Sequence, residues 1–170
     1  MKNTGTLKVT TPSDREIVLT RVFDAPRRLV FDAFTKPQLL KRWLLGPPGW
    51  SMIVCEVDLK AGGAYRYVWR HTNGDEMGIG GVCREIVAPE RLVSTESWGG
   101  NWPETLNTLV FSEEDGKTAI TITLLYPSKE ARDAALKTGM KEGVAASYDR
   151  LAELLTSAVA RSMEREAKEA

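Results

Sequence analysis

The chain has 170 residues, of which 42% are hydrophobic and 27% charged, a composition typical of one globular domain of ordinary size. Its 23 basic and 23 acidic residues leave no formal net charge, which argues against nucleic acid or a membrane as partner, since both attract an excess of Lys and Arg. One His and two Cys are too few for a conventional metal site or a disulfide framework, so we expect no cofactor.

No targeting segment is predicted. The polar N-terminal sequence lacks the apolar run of a signal peptide, and no stretch approaches the roughly 18 apolar residues of a membrane span. We therefore expect a cytoplasmic protein with reduced cysteines. We also expect a flexible segment over residues 1–14, a single domain over 15–157 and a charged helical tail over 158–170.

The first predicted elements are a strand and two short helices. Glu16 to Phe23 is rich in β-branched and apolar residues, which predicts a strand. Asp24-Ala25-Pro26 is typical of a helix start, and Pro37 ends that helix and begins a second one. The stretch from Leu45 to Gly49 is rich in Pro and Gly, which predicts a loop.

From Trp50 to Tyr126 the apolar period becomes two, and turn residues recur at regular intervals. The predicted strands are Trp50–Leu59, Ala64–His71, Met77–Val87, Arg91–Trp98, Thr105–Ser112 and Lys117–Tyr126. Short connections favour antiparallel pairing. With the first strand, these segments predict an antiparallel sheet of about seven strands.

A single long helix is predicted to follow, with Ser128 as its N-cap. Its apolar stripe is formed by Met140, Val144, Tyr148, Leu151 and Leu155. A sheet with one apolar face needs a cover, so the order of elements predicts an α+β helix-grip fold in which the sheet curls around this helix. Gly139 and Gly143 each cost roughly 1 kcal/mol relative to alanine inside a helix. That cost is explained if bulkier side chains at these two positions would fill a cavity between the helix and the sheet.

Strand alternation places large aromatic and polar side chains on one face of the predicted sheet. The shared face of one strand carries Tyr65, Tyr67, Trp69 and His71. The matching positions on two later strands include Glu96, Trp98 and Asn107. Opposite them on the helix we expect Met140, Gly143 and Val144, with Trp43, Trp50 and Trp102 around the mouth. Such a lining is more typical of a ligand pocket than of an aliphatic core.

Simpler interpretations stay open for the same residues. Aromatic side chains on one strand face are often core residues, and helix glycines often serve only close packing against a strand. His71 stands at a strand end beside a turn, where a surface histidine is the more frequent case. Glu96 is alternatively an edge residue that pairs with Arg or Lys, because a buried unpaired carboxylate is costly.

Several segments occur together in a characteristic order between Arg15 and Thr156: REIVLTRVFDAPRRLVFDAFTKPQLLKRWLLGPPGW, CEVDLKAGGAYRYVWR, APERLVSTESW, DGKTAITI and TGMKEGVAASYDRLAELL. In this the chain resembles the START-like, or SRPBCC, superfamily, and more narrowly stand-alone proteins related to the C-terminal domain of the activator of heat-shock protein 90 ATPase. The resemblance implies a seven-stranded sheet that grips the C-terminal helix, with a cavity between them. It implies no single activity, since the superfamily includes lipid carriers, polyketide cyclases, hormone receptors and chaperone partners.

Three functions are compatible with these observations. The first is binding of a small hydrophobic or aromatic molecule, with Glu96, Asn107 and His71 fixing its orientation by hydrogen bonds. The second is a cyclase- or hydrolase-like enzyme that uses Glu96 as general acid or base with His71 or a tyrosine as partner. No nucleophile elbow, P-loop or dinucleotide motif supports an enzyme. The third, by resemblance, is a chaperone partner; monomer and homodimer both stay open.

Overall fold

The structure is a computed structural model that describes residues 7–99 and 102–169. The strands are β1 (Lys8–Thr10), β2 (Glu16–Phe23), β3 (Trp50–Val57), β4 (Ala64–His71), β5 (Glu76–Val87), β6 (Arg91–Glu96), β7 (Thr105–Glu114) and β8 (Lys117–Leu125). The helices are α1 (Arg27–Thr35), α2 (Pro37–Trp43), α3 (Lys129–Leu136) and α4 (Met140–Glu169). Relative to the predicted strands, β3, β6 and β8 end earlier, β5 begins one residue earlier, and β7 continues to Glu114.

The strands form one curled antiparallel sheet in the order β1-β2-β8-β7-β6-β5-β4-β3. The predicted α+β helix-grip fold is confirmed, but the sheet has eight strands rather than about seven. The additional strand is β1, which pairs antiparallel with Val18 to Thr20 of β2. It lies within the segment 1–14 that we expect to be flexible, of which residues 1–6 are outside the described residues.

The C-terminal region contains two helices, so the single helix predicted from Ser128 is wrong. Ser128 does cap α3, and its Oγ accepts a hydrogen bond from the Ala131 N–H at 3.1 Å. The chain then turns at Gly139, whose φ of +77° lies in the left-handed region that favours glycine. Gly139 is therefore a junction residue between helices, whereas Gly143 lies inside α4.

The main core lies between the sheet and the helices α1, α2 and α4. Phe31 and Phe34 of α1 pack edge-on against Phe111 of β7, with ring centroids 5.3 and 5.5 Å apart. Phe34 also contacts Tyr148 of α4, with the centroids at 6.0 Å. Aromatic pairs in this arrangement add to the stability supplied by their buried area. This cluster attaches α4 to the concave face of the sheet.

Trp43 belongs to this core and not to the mouth of a pocket, which corrects the prediction. Only 1% of its surface is exposed, and its ring lies 4.8 Å from that of Phe34. Its Nε1 donates to the Ala33 carbonyl oxygen at 2.9 Å, so the one polar atom of the indole is hydrogen-bonded inside the core.

No helix among the described residues is long and apolar enough to cross a membrane.

Candidate functional site

A row of aromatic side chains on β4 forms one wall of the candidate site. The ring centroids of Tyr65 and Tyr67 are 5.2 Å apart, and those of Tyr67 and Trp69 are 6.0 Å apart. Trp98, just after β6, continues the row: its ring stacks on Trp69 at 6.0 Å with an interplanar angle of 16°. We call these four side chains the aromatic wall. Its last member, Trp98, is 40% exposed, so the wall leads from the interior to the surface.

Two hydrogen bonds to backbone carbonyl groups hold the aromatic wall in place. The Tyr65 hydroxyl crosses β5 and donates to the Thr95 carbonyl oxygen of β6 at 2.6 Å. The ring can cross because the residue opposite Tyr65 on β5 is Gly81, which has no side chain. A Cβ at Gly81 would lie 2.9 Å from Tyr65 Cε1 and would collide with the Thr95 carbonyl oxygen. The Trp69 Nε1 donates to the Leu44 carbonyl oxygen at 2.7 Å, which ties the wall to the loop after α2.

Glu96 is the carboxylate of the site. Its Oε1 accepts a hydrogen bond from Trp98 Nε1 at 2.9 Å, and the Asn107 side chain is near enough to favour its charged form. Asn107 Oδ1 accepts from Thr105 Oγ1 at 2.8 Å, which fixes the orientation of the Asn107 amide. Burial raises the pKa of the Glu96 carboxyl, while the hydrogen bond from Trp98 and the nearby Asn107 side chain oppose that rise.

The hypothesis that Glu96 is an edge residue paired with a basic side chain is wrong. β6 lies between β5 and β7 inside the sheet. None of the ion pairs in the described part of the chain includes Glu96. Its surroundings are phenolic instead. Burial, and after it the negative charge of Glu96, raises the pKa of Tyr126 to about 12.

His71 and Trp50 are direct partners at the open end of the β3–β4 pair, where β4 leads into the turn to β5. Their rings meet edge-on at 5.0 Å. His71 Nδ1 accepts from the Asn73 N–H at 3.2 Å, while Nε2 faces Gly49, where a Cβ would lie only 2.6 Å away. His71 is thus a half-buried turn residue. Among the hydrogen bonds of the described residues none joins His71 to Glu96, so the two do not form the predicted acid–base pair.

The loop between α2 and β3 connects the aromatic wall to α4. The Gly46 N–H donates to Ser147 Oγ at 2.8 Å, and Arg150 Nη1 donates to the Gly46 carbonyl oxygen at 2.7 Å. A Cβ on Gly143 would lie 3.7 Å from Pro47 Cδ, which is an ordinary contact. The small size of Gly143 is therefore compatible with the loop, although the loop does not require it.

The predicted helix residues Met140 and Val144 are half-buried and pack against the main core. Tyr67 of the aromatic wall is half-buried too and borders the same core. Met140, Val144 and Tyr67 therefore each keep part of their apolar surface accessible. Trp102, by contrast, is 49% exposed on the β6–β7 connection, of which Gly100 and Asn101 are outside the described residues.

Sequence reasoning missed three contributors to the site. Thr105 orients Asn107, Tyr126 lies near the Glu96 charge, and Ser147 holds the loop. Tyr126 could have been predicted from strand alternation, because residues two apart share a face and Leu124 faces the core. The hydrogen bonds of Thr105 and Ser147 could not be predicted from the pattern of apolar and polar residues along the chain.

An open groove of about 490 Å³ lies along β6, β7 and β8. Its lining combines apolar Val93, Leu106 and Leu125 with exposed Arg15 and Arg84. These strand residues alternate with those that face the core, so the groove lies mainly on the outer face of the sheet. The aromatic wall and Glu96 are not part of its lining, but Thr105 and Tyr126 are, so the groove adjoins the candidate site.

Between pH 4 and 8, Glu96→Gln is expected to gain stability relative to the wild type until the pH passes the folded pKa of Glu96, after which the difference stays constant. The folded state raises the pKa of Glu96, so ionisation costs stability above the unfolded value of about 4.3 and costs none below it. Urea denaturation of both proteins across this pH range measures the difference. A difference in unfolding free energy that stays constant across the whole range, or that narrows with rising pH, would contradict the raised pKa.

A curled antiparallel sheet that holds a C-terminal helix against its concave face defines the helix-grip class of proteins. The chain belongs to the family described as activator of Hsp90 ATPase homolog 1-like protein, whose model matches residues 24–156. The comparison with curated proteins returns no match.

Solved structures share this fold over most of the chain. A protein from Rhodobacter sphaeroides is 29% identical with a TM-score of 0.83, over 89% of this chain and 98% of that one. A protein from Nitrosomonas europaea is 25% identical with a TM-score of 0.78, over 88% and 99%. An AHSA1-like protein from Aeromonas hydrophila, 18% identical with a TM-score of 0.65 over 79% and 91%, is similar in fold alone.

Proposed function

We propose that the protein binds a small, largely apolar molecule between the aromatic wall and α4. The observation that carries this proposal is a continuous row of four rings with one carboxylate hydrogen-bonded beside it. Extended aromatic surface with a few convergent polar groups is typical of small-molecule sites. A packed core, in contrast, is dominated by aliphatic side chains and excludes unpaired carboxylates.

The distribution of burial supports the same proposal. At the α1 side of the sheet, Phe23, Phe111 and Ile120 are almost completely buried. Around the candidate site, Tyr67 and Glu96 keep part of their surface accessible although both lie on the concave face. A ligand there would bury apolar area at roughly 25 cal/mol per Å² without first displacing core side chains.

Each part of the site has a distinct role in this proposal. The aromatic wall supplies contact area and stacking surfaces. Glu96 and Asn107 orient the polar end of the ligand. Met140 and Val144 cover it from α4, and the loop held by Ser147 closes the side between helix and wall. Trp50 and His71 contact only a ligand long enough to reach the turn end of β4.

Val144→Trp is expected to reduce the affinity for the neutral apolar dye Nile red by about tenfold or more, because an indole at this position fills the proposed space. Dye fluorescence titration measures the affinity, and circular dichroism checks the fold. Lys141→Trp, on an exposed position of the same helix, is the matched control and should bind as the wild type does. Equal dye affinity for a folded Val144→Trp protein and the wild type would contradict the proposal.

A second candidate function is action on the Hsp90 chaperone. It is favoured by one observation, the match of residues 24–156 to the activator family. The exposed indoles of Trp98 and Trp102 would suit a protein contact, since apolar surface patches mark interaction sites. The ATPase rate of Hsp90 with and without this protein tests the idea.

A further inference from the structure

We propose that the ligand carries a cationic nitrogen, as a protonated or quaternary amine, that lies against Trp69 and Trp98 and pairs with Glu96. This inference rests on the proposed function, because it names the chemical class of the molecule bound at that same site.

The first argument is the missing counter-charge of Glu96. Its hydrogen-bond donor, Trp98 Nε1 at 2.9 Å, is neutral, and so is the neighbouring amide of Asn107. The nearly buried guanidinium of Arg21, in contrast, does have an ionic partner, Asp149, at 2.9 Å. Glu96 therefore stands out among the charges of the concave side. A cation from the ligand would supply the charge that no described side chain provides.

The second argument is the direction of the hydrogen bonds. An indole N–H can only donate, so Trp98 uses Glu96 as an acceptor. An ionised carboxylate offers about four acceptor positions, so roughly three remain open. A ligand that brings N–H donors or positive charge satisfies them, whereas a ligand that brings only acceptors does not.

The third argument is the electrostatics of the rings. The face of an indole carries partial negative charge and attracts cations more strongly than the other aromatic side chains do. Trp98 is stacked on Trp69 and also hydrogen-bonded to Glu96, which brings aromatic surface and carboxylate together. The combination attracts an ammonium group and repels a carboxylate or phosphate. It thus selects the charge of the ligand as well as its apolar character.

Three probes with the same ring test the inference by isothermal titration calorimetry at pH 7: naphthylethylamine, naphthylethanol and naphthylacetate. The amine should bind about tenfold more tightly than the alcohol, since it adds charge-assisted hydrogen bonds and a cation–π contact. The acetate should bind most weakly. In Glu96→Gln the preference for amine over alcohol should fall to within about twofold.

Glu56→Gln is the matched control. Glu56 is an exposed glutamate on β3, opposite Arg66 in the register, so its loss should leave the amine preference intact. If the wild type binds the alcohol or the acetate as tightly as the amine, the cationic ligand is excluded while the apolar site stands. A preference that survives in Glu96→Gln would also overturn the inference. Failure of all three probes to bind the wild type would contradict the proposed site itself.

Discussion

Replacing Gly81 with alanine should lower the free energy of unfolding by about 3 kcal/mol or more, at the upper end of what overpacking costs. The new Cβ would collide with the Thr95 carbonyl oxygen and lie 2.9 Å from Tyr65 Cε1. The Thr95 oxygen belongs to the backbone of β6, a strand paired on both sides, so it cannot move aside cheaply. The substitution would also break the hydrogen bond from the Tyr65 hydroxyl to that oxygen.

Gly78→Ala on the same strand is the matched control for Gly81→Ala. A Cβ there would lie 3.4 Å from the Tyr67 carbonyl oxygen and 3.5 Å from Val68 Cγ2, which are ordinary contacts. We expect a change within about 1 kcal/mol, since alanine limits the unfolded backbone more than glycine does. Urea denaturation followed by tryptophan fluorescence measures both variants. Similar losses of unfolding free energy in Gly81→Ala and Gly78→Ala would show that the collision with Thr95 is not the cause of the destabilisation.

Asp149→Ala should cost about 3 kcal/mol, because it leaves a buried guanidinium without its counter-charge. Only 1% of the Arg21 side chain is exposed, and its Nη1 donates to Asp149 Oδ1 at 2.9 Å. Arg21 Nε and Nη2 have no hydrogen-bond partner among the described residues. The guanidinium also lies over the ring of Phe23, whose centroid is 5.3 Å from Arg21 Cζ. Asp149 is therefore the main compensation for the buried charge.

Two further variants separate charge from packing at this pair. Asp149→Asn keeps an acceptor oxygen and should lose less stability than Asp149→Ala. Arg21→Met removes the buried cation and replaces it with an apolar chain, which should be close to neutral. Urea denaturation of the three variants gives the comparison. A neutral effect of Asp149→Ala would contradict the role of Asp149 as the counter-charge of Arg21. So would the largest loss of stability in Arg21→Met.

Together these two positions hold the opposite sides of the candidate site. Gly81 lets Tyr65 reach across β5, and so keeps the sheet side of the site in place. The Arg21–Asp149 pair joins β2 to α4, the helix on the other side of the proposed site. We expect ligand affinity to fall in variants of either position, even under conditions where the protein stays folded.

The fold was largely predictable from the sequence because its signals are local. The segment from Trp50 to Tyr126 alternates apolar and polar residues, and alternation depends only on the extended backbone. The same rule places Tyr65, Tyr67 and Trp69 together, and the structure bears this out through their ring contacts. The break at Gly139 was missed because one glycine is compatible both with a helix interior and with a left-handed junction.

The sequence by itself thus determined the strand pattern, the helix-grip arrangement and the row of aromatic residues. Only the tertiary structure decided which of these residues meet: that Trp43 fills the core, and that Glu96 has Trp98 and Asn107 as neighbours instead of a basic side chain. The physical reason is that these environments depend on elements distant in sequence: α1 and α4 around Trp43, and the neighbouring strands around Glu96. Contacts across neighbouring strands depend on strand pairing and on bulges such as the shift between Cys83 and Glu85, which leave no periodic trace along a single strand.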